Sequence, residues 1–149
     1  FNGFIWQGEP PDPASMETFL KSRLDWSKVG GSRQHSLLSF YQTLIRLRRE
    51  HPALSNRSRD DMHVRGFEQR KLMLVGRKSG EYDLFGLYNF HTEDQAVDPL
   101  EMGIADACRK ILDSADTKWS GPGSALPERI DGSQTLKIRA SCVALYSKE

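Results

Sequence analysis

"HSLLSFYQTLIRLRREHPAL", residues 35–54, is the stretch on which the reading of this chain turns. Leu37, Leu38, Tyr41, Leu44 and Ile45 recur at spacings of three and four, with Leu47 at their margin. That period predicts an amphipathic helix over about 33–51. Arg46, Arg48 and Arg49 add positive charge to its last turns, where the helix dipole favours cations. Pro52 then stops it, because a residue preceding proline avoids the helical region. Burying one large apolar side chain contributes about 1.5–3 kcal/mol. A face of five therefore needs a partner, either the rest of the chain or the same face of a second copy in a two-fold dimer.

Downstream the period changes to two. Strands are expected near 62–68, 71–78 and 82–90, joined by turns at "FEQRK" and "KSGEY". "QAVDPL" suggests a short edge strand interrupted by Pro99, and "RKILDS" another strand. "DTKWSGPGSALPERIDGS", 116–133, reads as a long irregular loop, and "TLKIRA" with "SCVALYS" as a closing hairpin. Six to eight short antiparallel strands make the fold class mainly β with N-terminal helices, an antiparallel β-sandwich. Tyr82, Phe85, Tyr88, Phe90 and Tyr146 sit at strand positions and are expected in its core. The polar stretch "SNRSRDD", 55–61, suggests a boundary between a unit at 1–55 and a β domain at 60–149. Upstream, 1–15 reads as a loop, Asp12-Pro13 as the start of a short helix over 14–23, and 24–32 as a loop with two glycines.

The 149 residues carry 28% charged side chains and a net charge of +1, with both signs interspersed. Neither a nucleic-acid surface nor a membrane patch is expected from that balance, and no apolar run reaches the length of a spanning helix. Residues 1–15 lack the basic start and apolar core of a secretory signal. The opening at Phe1 suggests a piece of a longer chain. Cys108 and Cys142 set no disulfide framework and match no zinc spacing; two buried free thiols in neighbouring strands are expected, hence a cytoplasmic setting.

Chemistry-bearing residues are sparse. The carboxylates fall in pairs (Asp60 with Asp61, Glu81 with Asp83, Glu93 with Asp94, Asp113 with Asp116), all in expected turns, where acidic residues serve local hydrogen bonding. His35, His51, His63 and His91 show no ligand spacing. Ser114, Ser120 and Ser124 lack the strand-to-helix context of a nucleophile. No catalytic residue, metal or cofactor is therefore named. Exposed aromatic faces can stack on sugar rings; Phe1, Phe4, Trp6, Phe19, Trp26 and Trp119 have that reading beside the plainer one of packing a loop onto a core.

"PPDPASMETFLKSRLDW" followed by the 35–54 helix resembles the end of the catalytic barrel in the maltooligosyltrehalose trehalohydrolases, glycoside hydrolases of the α-amylase family. "KILDSADTKWSGPGS" and "LKIRASCVALYS" are similar to the β domain that follows that barrel; between them only the strand pattern and "LYNF" match. The resemblance implies that 1–55 is a remnant of a (β/α)8 barrel, with 33–51 its last helix, and that 60–149 is the C-terminal antiparallel β domain. It implies that the missing barrel is the chain's partner and that the parent acts on α-glucans, releasing trehalose from maltooligosyltrehalose. Trp6 and Trp26 would then border the substrate cleft, and the catalytic carboxylates would lie on strands absent from this sequence. The competing reading is a free-standing carbohydrate-binding or protein-interaction β-sandwich module.

Overall fold

The structure is a computed structural model that describes residues 11–56, 58–104 and 106–148, apart from the side chain of Tyr82. Helix α1 spans Met16–Ser22, a 3-10 turn Trp26–Gly30, α2 Ser32–Glu50 and α3 Pro52–Ser55. The strands are β1 Met62–Phe67, β2 Leu72–Ser79, β3 Tyr82–Asn89, β4 Gln95–Val97, β5 Cys108–Asp113, β6 Arg129–Ile130, β7 Leu136–Ile138 and β8 Val143–Lys148. Ser15, rather than Asp12, caps α1, its hydroxyl accepting from the Glu17 N–H. Asp12 instead closes the preceding turn by accepting from Ala14 at 2.9 Å.

A six-stranded antiparallel sheet runs β1-β2-β3-β8-β5-β6, and β4 pairs with β7 in a small second sheet. The closing hairpin expected from "TLKIRA" and "SCVALYS" does not form. β7 leaves the large sheet to bury Leu136 and Ile138 from the second one, and β8 inserts between β3 and β5. The backbone reverses between them at Ser141, which takes φ 51°. Asp94 fixes the departure, accepting from the Ala140 N–H and from Arg139, both at 3.0 Å.

The register shows that the large sheet is apolar on both faces. On one side Leu72, Leu87, Ala144 and Tyr146 meet Val97, Ile104, Leu136 and Ile138 of the second sheet and its loops. This is the main core, and Phe85 stacks on Tyr146 within it, rings 5.4 Å apart. On the other side directly paired residues form three rows: Met62–Arg77–Leu84–Ser147, Val64–Val75–Gly86–Leu145 and Gly66–Met73–Tyr88–Val143. Leu84, Leu145 and Leu112 are buried on this helix face although they lie outside the main core. Helix α3 covers part of it, touching β2 and β3 with Ala53 fully buried. Tyr88 folds back over Gly86, where an added Cβ would stand 2.9 Å from the ring. Phe90, expected in the core, is instead 61% exposed, because β3 has already ended at Asn89.

Asn89 fastens the two sheets. Its amide donates to the carbonyls of Glu93 and Arg139 at 3.0 and 2.9 Å, and its carbonyl accepts from the His91 N–H. Removing these bonds leaves buried backbone groups without partners, at about 1–3 kcal/mol each. Asn89→Ala is expected to lower stability by about 2–3 kcal/mol, read as a lower denaturant midpoint at unchanged slope. An unchanged midpoint would show that the fastening is redundant.

Candidate functional site

Helix α2 ends where the helix layer meets the sheet. Phe40 stands edge-on to Trp119, ring centres 5.3 Å apart. Leu44 and Leu47 follow at helical spacing on the same half-buried side. Of the five side chains assigned to the buried face, only Leu44 turns inward; Leu37, Leu38, Tyr41 and Ile45 are all exposed. The helix thus carries two apolar sides. The side with Phe40 lies on the β domain, and the leucine-tyrosine-isoleucine side is open. Sequence periodicity merged them because the two stripes adjoin on the helix surface.

The joint between α2 and the β domain is polar and closely held. His51 accepts the role of cap at the end of α2 and the start of α3, with Nε2 3.1 Å from the Ser147 hydroxyl of β8. The Arg77 guanidinium donates to the carbonyls of Ala53, at 3.1 Å, and Asn56. Arg48 reaches the Leu54 carbonyl from the helix side. The Asn56 amide bonds Asp61 at 2.8 Å and the Lys78 carbonyl at 3.0 Å. The 55–61 stretch, polar in sequence, is fastened to β2 through these bonds.

The residues nominated for sugar contact divide. Trp6 lies outside the described residues. Trp26 opens the 3-10 turn, positioned by Asp25, which accepts from the Ser27 N–H and hydroxyl at 3.1 and 2.6 Å. Its ring is 76% exposed, in a neighbourhood with exposed Met16, Phe19, Leu20 and Leu24. No residue of α1, of this turn or of α2 is buried. Trp119 instead packs between Phe40 and the Lys118 ammonium, which lies 4.8 Å from its ring centre.

The carboxylates serve local structure. Buried Asp113 accepts from the Ala115 N–H at 2.8 Å and from the Ser124 hydroxyl, drawing the 120–124 loop onto β5. In that loop Gly121 passes so close that a Cβ would stand 2.4 Å from the Ala115 carbonyl oxygen. The Ala140 N–H, then Lys137 and Arg139, hold Asp94 below the usual carboxylate range. The Lys118 N–H does the same for Asp116. Asp83 faces Lys78 at 3.6 Å. Cys108 and Cys142 form no disulfide; Cys108 is buried in β5 and its thiol donates to the Asp106 carbonyl at 3.3 Å, whereas Cys142, expected buried in a strand, is half-buried just before β8. Among the described residues no group of three His, Cys, Asp or Glu is placed to hold a metal ion, and no helix is long and apolar enough to cross a membrane. A cleft of about 220 Å3 at the sheet's corner is floored by Leu74, Phe85 and Ile104 and rimmed by paired Lys78, Asp83, Asp106 and Lys148.

No protein-family model matches the chain. The malto-oligosyltrehalose trehalohydrolase of Deinococcus radiodurans is 42% identical over 112 residues, which is 75% of this chain and 18% of that protein. The chain belongs with the malto-oligosyltrehalose trehalohydrolases of the α-amylase family. The trehalohydrolase of Brevibacterium helvolum is 48% identical over 46 residues, 31% of this chain and 8% of its own length. The chain therefore spans less than a fifth of these curated relatives and corresponds to part of such a glycoside hydrolase. Solved structures agree on the fold. An inactive double mutant of MutB in complex with isomaltulose superposes with a TM-score of 0.57 at 17% identity, over 84% of this chain and 20% of that one. A trehalulose synthase mutant, MutB in complex with Tris, gives 0.53 at 18% identity, over 83% and 19%. The α-amylase-type β domain with helices ahead of it, expected from the trehalohydrolase resemblance, is the architecture observed.

Two outcomes test this region. Loss of solvent around the His51 ring pushes its pKa below the ordinary 6.5. The folded state then binds fewer protons than the unfolded one, so stability is complete above the unfolded value and is lost as pH falls through it. Thermal midpoints are expected to fall between about pH 7.5 and about pH 5, and His51→Gln should flatten that slope; an identical slope in the variant would remove His51 as its source. Trp26→Ala, by contrast, should change stability by less than about 0.5 kcal/mol, since the ring touches little; a larger loss in denaturant titration would mean that Trp26 supports the fold.

Proposed function

We propose that this chain is the C-terminal, non-catalytic part of a trehalohydrolase whose whole polypeptide releases trehalose from maltooligosyltrehalose, in the cytoplasm, as a step of trehalose formation. The observation that carries the reading is the two-sided helix within a segment 42% identical to a trehalohydrolase. One side of α2 lies on the β domain, and the other presents Leu37, Leu38, Tyr41 and Ile45 to solvent. Four such side chains represent at least several kcal/mol of unrealised burial, about 1.5–3 each. The catalytic barrel of the parent covers them, and residues 1–55 are the end of that barrel while 60–149 form the β domain bracing it.

Hydrolysis of a glycosidic bond uses two carboxyl groups facing each other across it. Asp94, Asp113 and Asp116 are each held by local N–H donors, hydroxyls or cations, which supports assigning the chemistry to the barrel. Trp26, exposed ahead of α2, borders the parent's substrate cleft together with Trp6.

The purified chain is expected to release no trehalose from maltooligosyltrehalose, and the full-length polypeptide to release it. Its affinity for malto-oligosaccharide should be no better than about millimolar, roughly 4 kcal/mol, because only one edge of the cleft is present. Turnover by the chain alone would overturn the non-catalytic assignment. Micromolar binding in calorimetry that survives Trp6→Ala and Trp26→Ala would favour a free-standing sugar-binding module.

A further inference from the structure

On the sheet face away from the helices, one row crosses the strands as His63, Gly76, Phe85 and Tyr146, each paired directly with the next. Directly paired residues share a face, and the first three of these line the corner cleft. Phe85 lays one side of its ring on Tyr146, 9° from parallel. Its other side looks back across Gly76 toward His63. Ile104 closes the space from the β4–β5 connection, and the buried Cys108 closes it from β5.

Gly76 is the residue that keeps this space open. It stands within β2, where glycine weakens a strand. Its backbone takes no positive φ, and β2 pairs without a bulge on either side. An added Cβ would meet nothing nearer than His63, at 3.9 Å. Neither conformation nor packing calls for glycine here. The remaining use of a strand glycine is to let a ligand approach the backbone. Strands β1 and β3 lie two spacings apart, about 9.5 Å. With van der Waals contact at about 3.5–4 Å on each side, the slot between His63 and Phe85 takes one ring lying parallel to Phe85.

The rim selects among flat ligands. Lys78 pairs with Asp83 at 3.6 Å and Lys148 with Asp106 at 2.7 Å. The two pairs sense each other. Lys148 and, beyond it, Lys78 hold Asp106 below the usual carboxylate range, while Asp106 and then Asp83 raise Lys148. Two cations and two carboxylates leave no net charge for a phosphate or an ammonium group to neutralise. They do set donors beside acceptors, and each hydroxyl of a sugar is both. A pyranose also carries an apolar face of C–H groups that lies flat on an aromatic ring. We propose that the cleft is a second sugar site, holding one glucopyranose ring of an α-glucan on Phe85, across the sheet from the helix layer. The choice of glucose rests on the proposed function; the slot and its balanced rim do not.

Amide NMR spectra of the isolated chain, titrated with maltotriose, test it. Saturable shifts are expected at His63, Gly76, Phe85 and Cys108, with a Kd of about 1 mM or weaker, and Trp26→Ala should leave them in place. Gly76→Leu, whose Cβ has room, should fill the slot and weaken binding by about tenfold. Lys78→Met, at an exposed position, should weaken it several-fold and serves if the leucine variant does not fold. Shifts absent at about 50 mM maltotriose, or present and indifferent to both substitutions, would overturn the site. So would shifts centred on Trp26 and lost in Trp26→Ala, or a preference for adenosine over maltotriose. Failure of the trehalohydrolase reading shows elsewhere, as a full-length polypeptide that releases no trehalose while the cleft amides of the chain still respond to sugar.

Discussion

A sheet that is apolar on both faces cannot stand with one cover, and the rest of this structure follows from that constraint. The first cover is local: the small β4–β7 sheet and the loops around it close over Leu72, Leu87 and Tyr146. The second is the helix layer, seated by Phe40 against Trp119 and by Ala53 over β2 and β3. The side chains of the first cover come from β4, β7 and the loops that connect strands of the large sheet, all within the β domain itself. The second depends on residues that precede the first strand. This explains why the joint is so densely hydrogen-bonded: backbone carbonyls at the end of α3 would otherwise face an apolar surface, and Arg77 satisfies two of them.

The arginine at the joint also determines how the helix layer is coupled to the sheet. Arg77 is paired across the ladder with Met62 on one side and Leu84 on the other. Its guanidinium therefore links the edge of the sheet to the end of the helices. His51 beside Ser147 completes the seam from the end of α2. The His51–Ser147 bond and the two Arg77 bonds thus tie the ends of α2 and α3 to β8 and β2.

Much of this architecture was legible in the sequence. The strand pattern, with the turn residues that bound it, placed β1, β2, β3 and β5 within a residue or two. The helix and its stop were equally plain. Pairing was not: β7 alternates as cleanly as a hairpin partner of β8 would, and it is held away by residues remote in sequence, Asn89, Asp94 and the β4 ladder. Nor does periodicity tell one buried stripe from two adjacent ones, which is why Leu37, Tyr41 and Ile45 were grouped with Leu44. Phe90 illustrates a related limit, since an aromatic one residue past a strand end looks like part of the strand. For the site, Trp26 could be nominated by residue type alone, whereas Arg77 and His51 gave no signal. Their importance arises from carbonyls and a hydroxyl brought to them by the fold.

Shared ownership of α2 has a consequence for recombining such enzymes. A helix that contributes Phe40 to one body and is open to another on its far side belongs to neither as a module. Cutting in the polar 55–61 stretch would sever Asn56 from Asp61 and Lys78 and strip Ala53 from the sheet. A graft that exchanges β domains between relatives therefore has its natural seam upstream, at Gly30–Gly31, where the 3-10 turn ends and no residue on either side is buried. The transferable unit is the β domain with its helix attached, and the exposed Leu37, Leu38, Tyr41 and Ile45 travel with it.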